Sequence, residues 1–136
     1  MRNFMKSRKG EGYIDVVIGM LCLLMTLVVT MNIYQFFTIK QDLDEISQQL
    51  IECATYNGCF SDEFYERADE LEIQFFPFDV SVSADEYFNA SYKRVQLGDK
   101  MDVTVSMETY VQGVGVFKIP VTIGSHRSGI SEKYWK

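Results

Sequence analysis

The residues with the clearest chemical meaning stand together near the start of the chain, in Lys9-Gly10-Glu11-Gly12-Tyr13-Ile14-Asp15-Val16. A basic stretch carrying Arg2, Lys6, Arg8 and Lys9 ends in Gly10, and five residues later a lone carboxylate, Asp15, opens a long uncharged run. An ionisable group inside an apolar helix costs about 2.5–3.5 kcal/mol at the centre of a bilayer and less near its edge, so it needs a partner. Read from the residues alone, Asp15 lies among lipid headgroups or simply favours the positive end of the helix dipole.

The element that must position Asp15 is the run from Val16 to Ile39, 24 residues without a formal charge. As a helix it covers about 36 Å at about 1.5 Å per residue, more than the roughly 30 Å of bilayer hydrocarbon. The basic head favours retention on the cytoplasmic side, which sends the remainder outward as a bitopic protein. From Lys40 onward there are 9 basic and 17 acidic side chains, the same sign as phosphate, so nucleic-acid binding is not expected. A soluble cytoplasmic enzyme is disfavoured by the same run. Removal as a secretory signal is disfavoured because Thr30-Met31-Asn32-Ile33-Tyr34-Gln35-Phe36-Phe37 lacks a pair of small residues at the needed spacing. Cys22 follows Met20-Leu21 deep in the run and reads as a small buried hydrophobe, not a lipidation site.

Beyond the run, Ile39, Leu43, Ile46, Leu50 and Cys53 recur at helical spacing with polar residues between them. No proline intervenes before Pro77, so Gly12 to Ala54 predicts one rod of about 65 Å. Its outer stripe needs a cover; a coiled coil is the other way to supply one, but the heptad pattern is too short to argue for it. Asn57-Gly58 offers a left-handed stop. Cys53 and Cys59 flank that stop, and both a disulfide and two packed free thiols fit their spacing, since the bond also needs suitable Cβ geometry. Ser61 then caps a second helix with Asp62 and Glu63 in its first turn and Phe60, Phe64, Ala68 and Leu71 as its buried stripe. Asp62, Glu66 and Asp69 read as a solvated acidic face, because calcium sites need converging loop oxygens. Alternation predicts strands over Phe78–Ser83 and Asp102–Met107, with another over Tyr87–Gln96 before the Leu97-Gly98-Asp99-Lys100 turn. Val111 and Val116–Ile123 flank a hairpin loop at 112–115, and Pro120 suggests an edge strand. The expectation is an α+β fold: a four- or five-stranded antiparallel sheet laid on the amphipathic end of a long helix.

The segment around Gly10 resembles the processing site of type IV pilin-like precursors. The resemblance implies that a membrane-embedded prepilin peptidase cuts between Gly10 and Glu11, making Glu11 the first and Asp15 the fifth residue of the mature chain; the new α-amino group of Glu11 could then neutralise Asp15 of an adjacent subunit and set a register for helix packing. Glu11 stands where many type IV pilins carry an apolar residue, and Asp15 where glutamate is commoner; TadE-like proteins are looser at the first position. Residues 8–30 and 97–136 also resemble short single-pass proteins of Gram-positive conjugative elements, related to TadE-like pseudopilins. The implied organisation is a basic leader (1–10), a transmembrane helix (11–39), its extracellular continuation (40–59) and an α+β head of the pilin-like kind (60–136). The implied role is a minor pilin or pseudopilin of a surface pilus, secretion or conjugation apparatus. Its partners would be the membrane, the prepilin peptidase, other pilin-like subunits in a homo- or hetero-oligomer and the inner assembly platform.

Catalytic chemistry has little to stand on. The single histidine, His126, follows Ser125 on a strand, where neighbours point to opposite faces and cannot form a nucleophile and base unaided. Gly113-Val114-Gly115 is too short for a phosphate loop, and one histidine with no third outward-facing thiol leaves no metal set. No enzyme activity, cofactor or metal is expected. Tyr134 and Trp135 read as a last strand packing on the head, and residues 129–136 hold no sorting motif for wall attachment. The competing reading is an unprocessed bitopic accessory membrane protein of a conjugation or secretion complex.

Overall fold

In the computed structural model, α1 (Arg8–Asn57) is an unbroken helix of 50 residues, about 75 Å at about 1.5 Å per residue. The structure describes residues 8–112 and 117–136, with side chains for 12–111 and 117–136. The basic segment over 1–7, the side-chain surroundings of Gly10 and Glu11, and the turn at 113–115 lie outside the described residues. Polar residues in the uncharged run do not interrupt the helix, because Thr26, Thr30, Asn32 and Thr38 each donate to a carbonyl one turn back. The stop comes at Gly58, whose φ of +64° is the left-handed conformation glycine adopts freely. Its N–H donates to Ala54 O at 2.8 Å, closing the last turn.

Three strands follow α2 (Asp62–Gln74): β1 (Asp79–Ala84), β2 (Lys100–Gln112) and β3 (Lys118–Ile130). They form one antiparallel sheet in the order β1-β2-β3. The register sets Val80 opposite Val105 and Val105 opposite Ser125, so Met101, Val103 and Val105 of the central strand point into the core and are fully buried. Leu43, Ile46 and Leu50 of α1 are buried against them with Ile51 and Ala54. At about 1.5–3 kcal/mol for each large apolar side chain taken from water, this stripe holds the head on the rod. Phe64, Ala68 and Leu71 bury the inner face of α2, and Phe60, two residues before that helix, stacks edge-on to Phe64 at 5.3 Å.

The architecture is the expected α+β arrangement, a long apolar-to-amphipathic helix packed on a small antiparallel sheet. Several details differ. The described residues form three strands, not four or five. Tyr87–Gln96 is a loop with two isolated bridges: the Asn89 side chain accepts from Ser91 N–H at 3.0 Å and Lys93 takes φ +47°, which together turn the backbone out of a ladder. The C-terminal residues are not a strand either. Ser131 N–H donates to Asp99 O, Glu132 N–H to Thr55 O and Trp135 N–H to the Gln96 side chain, so this segment is spent on the helix end. Ser61 occupies the N-cap position, but its hydroxyl makes no capping bond; its carbonyl instead accepts from Phe64 and Tyr65. Pro120 does fall on the outer strand β3.

β3 approaches α1 closely at Gly129, where an added Cβ would sit 2.5 Å from Thr55 Cγ2 and 3.0 Å from Ile51 Cγ1. Gly129→Ala should therefore cost about 1–3 kcal/mol by overpacking. At Gly124 the nearest atom would be Val105 O at 3.5 Å, an ordinary contact, and Gly124→Ala should stay within about 0.5 kcal/mol of wild type. Urea unfolding of the two variants, followed by Trp135 fluorescence, checks the difference; equal stabilities would contradict this packing.

Candidate functional site

Asp15 sits within the first turns of α1 on an exposed surface, among exposed Tyr13, Ile14 and Val16. The apolar window of this helix is 0% buried by the rest of the chain, and the helix is long and apolar enough to cross a membrane. At successive turns from Asp15 come Gly19, Cys22, Thr26 and Thr30, small residues that let helices approach closely in an apolar medium. The Thr26 and Thr30 hydroxyls are satisfied by Cys22 O at 2.9 Å and Thr26 O at 2.8 Å. The carboxylate is thus set at one end of a smooth, uncovered apolar cylinder, and among the described residues no ion pair includes it. Gly10 and Glu11 lie in the first turn of the described helix backbone, one turn before Asp15.

The apolar half meets the head at a polar joint that sequence reasoning did not single out. Lys40, the first charge after the run, donates from Nζ to Asp44 Oδ1 at 2.9 Å and to Gly124 O at 2.8 Å. The Ser125 hydroxyl donates to Asp44 and lies 3.0 Å from Ser47 Oγ. Ser47 and Ser125 are buried between α1 and β3, so their mutual bond is what makes polar atoms tolerable there. The Ser125 bond, followed by that from Lys40, holds the Asp44 carboxyl below its ordinary value. The available signal was weak: Lys40 and Asp44 one turn apart, and Ser47 beside Ile46 on the stripe.

Cys53 and Cys59 lie on either side of the Gly58 stop and are both free thiols in this structure. Cys59 is buried and Cys53 half-buried. Burial, reinforced by the Glu63 carboxylate, pushes the Cys53 thiol up and disfavours its thiolate. Gly58 O accepts from Val95 N–H at 2.8 Å and from Trp135 Nε1 at 3.2 Å. The Trp135 ring lies 4.4 Å from the Arg94 guanidinium and 4.9 Å from the Lys133 ammonium. Trp135 therefore locks the helix end, while Tyr134 is exposed.

Ser125 and His126 face opposite sides of β3, as their adjacency predicts: Ser125 bonds to α1, whereas His126 is exposed with Nε2 3.6 Å from Asp102 Oδ1. Asp102 is held below its ordinary value, chiefly by the Ser128 hydroxyl and then by Lys100. Asp62, Glu66 and Asp69 are exposed on α2, and the described residues contain no group of three side chains able to hold a metal.

The family model described as Domain of unknown function (DUF4320) matches residues 20–136. The chain belongs to the DUF4320 family. The match spans most of the apolar run, its amphipathic continuation and the whole head, and it begins beyond Gly10, Glu11 and Asp15. No curated protein and no solved structure matches the chain. The DUF4320 match thus contains most of the apolar run and the whole helix-on-sheet unit whose joint is Lys40, Asp44, Ser47 and Ser125.

Asp44 and Asp102 contribute to the acid dependence of this head's stability. Both carboxyls are lowered by folding, so their contribution to stability is complete above the unfolded value near 3.8 and is lost as pH falls through the lower folded values. Ser125→Ala should move the Asp44 titration up towards its ordinary value and leave that of Asp102 in place, as read by NMR of the carboxyl carbons. An unmoved Asp44 would show that the Ser125 bond does not control it.

Proposed function

We propose that this DUF4320 protein is a pilin-like, TadE-like membrane-anchored subunit, a minor pilin or pseudopilin of a surface pilus, secretion or conjugation apparatus. The observation that carries the reading is the lone Asp15 at the start of an apolar helix that the chain itself leaves uncovered, continuous with a second half buried under a small α+β head. An apolar cylinder of this length is stable only in lipid or against other apolar helices. The basic residues before Gly10 favour a cytoplasmic N-terminus, with the acidic head outside.

In this reading a prepilin peptidase hydrolyses the Gly10–Glu11 bond with one water, leaving a carboxylate on Gly10 and an α-amino group on Glu11. Gly10 and Gly12 flank the scissile bond; each glycine costs a helix about 1 kcal/mol relative to alanine, which favours the local unwinding a peptidase needs. The freed ammonium then pairs with Asp15 of a neighbouring subunit. Because a charge in an apolar medium is costly alone, that pairing selects one axial register among the sliding positions that apolar packing leaves nearly equal.

Glu11 itself, and a family match that begins after the motif, favour a second reading: an unprocessed single-pass accessory protein that uses the same helix to bind other membrane subunits. Two variants separate the readings. Gly10→Ala should retain the leader and migrate as the longer precursor, while Asp15→Ala should insert normally but lose about tenfold in co-isolation with the apparatus, equivalent to about 1.4 kcal/mol. Asp15→Glu should restore it. Unchanged size in Gly10→Ala together with normal incorporation of Asp15→Ala would contradict processing and charge-guided assembly.

A further inference from the structure

The β2–β3 hairpin changes character along its length. Near the distal end its outer face carries Asp102, Thr104 and Ser106 opposite Ser128, His126 and Gly124, the polar side of an ordinary half-buried sheet. Towards the tip the outer side is mixed: Tyr110 faces Pro120 between the polar pairs Glu108–Thr122 and Gln112–Lys118, while Val111 pairs with Ile119 on the inner side. Val111 is half-buried, but large apolar side chains around it stay open, with Tyr110 57%, Phe117 77% and Ile119 60% exposed.

The position of the tip along α1 follows from the bonds that fix β3. Ser125 is tied to Asp44 and Ser47, and Gly129 abuts Ile51 and Thr55. Four residues of strand, about 13 Å, thus accompany about 11 Å of helix, so β3 runs nearly along α1 and in the same direction. Ile119 lies six residues before Ser125, about 20 Å back, which is about 13 residues of helix and brings it level with Tyr34. Asn32, Phe36 and Ile39 are half-buried there, among neighbours that are exposed. That level is inside the uncharged run, at its outer boundary, where Tyr34, Phe36 and Phe37 form an aromatic cluster typical of a membrane interface.

We infer that the hairpin tip, through Tyr110, Phe117, Ile119 and Pro120, seats in the outer surface of the same bilayer that α1 crosses. The inference rests on the membrane-spanning part of the proposed function. A head built on a continuous helix cannot swing freely from its anchor, so the tip is held at the lipid boundary by the same contacts that hold the core. Tyrosine suits the headgroup level, and Lys118 can lay its stem on the apolar side and send its ammonium to the lipid phosphates. The seat supplies the cover that Tyr110, Phe117 and Ile119 lack among the described residues, and it fixes the head against the membrane before assembly.

The test uses full-length protein in phosphatidylcholine vesicles with acyl chains brominated near the headgroup end, reading tryptophan emission. Wild type carries only Trp135, at the distal end of the head, and should keep its emission. Ile119→Trp should add a component that is blue-shifted and lost in the brominated vesicles. Tyr56→Trp, exposed at the distal end of α1, should add an unquenched component, and Leu24→Trp, in the middle of the run, should be quenched. A quenched Leu24→Trp with an unquenched Ile119→Trp would overturn the seat alone: emission like that in water would mean a solvated tip, and a blue shift without quenching would mean a protein cover. An unquenched Leu24→Trp would overturn the membrane span and the seat together.

Discussion

One uninterrupted helix in two different surroundings governs the rest of this protein. From Gly12 to Met31 its side chains are exposed, Asn32, Phe36 and Ile39 are half-buried with Ile39 against the core, and from Leu43 to Ala54 one face is buried. A helix satisfies its own backbone in either medium, so no cap or turn is needed where the surroundings change, and none occurs between Arg8 and Asn57. What changes is only the side chains. The uncharged run asks for apolar neighbours, and the stripe of Leu43, Ile46 and Leu50 asks for a sheet.

Rigidity follows from how the sheet is fastened. Gly129 permits backbone-close packing at one level, the Ser47–Ser125–Asp44 bonds fix another, and Gly58 with Trp135 closes the far end. Three attachments along one strand and its tail leave the head without a hinge to the rod. The direction of α1 therefore dictates the direction of the head, and any register imposed on the apolar half through Asp15 is transmitted to the exposed acidic surface.

The sequence made the axis of this fold legible because its signals are local. The helical spacing of Leu43, Ile46 and Leu50, the stop at Asn57-Gly58 and the alternation of Val103 and Val105 each lie within one element. Tyr87–Gln96 misled because Tyr87, Tyr92 and Val95 have strand-like composition, while the decisive features are the Asn89 side-chain bond and the left-handed Lys93. Trp135 reads as part of a strand until its partners, Gly58 and Gln96, are known to be adjacent. The Asp44 joint gave only a weak signal for the same reason: its bond to Ser125 joins residues 81 apart. Of the site itself, Asp15 was legible as a lone charge before an apolar run, and no ion pair among the described residues includes it.

A lone carboxylate on an uncovered helix has meaning only through what neutralises it, and in this account that group is made by hydrolysis. The direct measurement is the intact mass and N-terminal residue of the protein recovered from membranes of its own host. A chain beginning at Glu11 is the predicted result. A chain beginning at Met1 would contradict the account, leaving Gly10 and Asp15 as features of an unprocessed membrane protein.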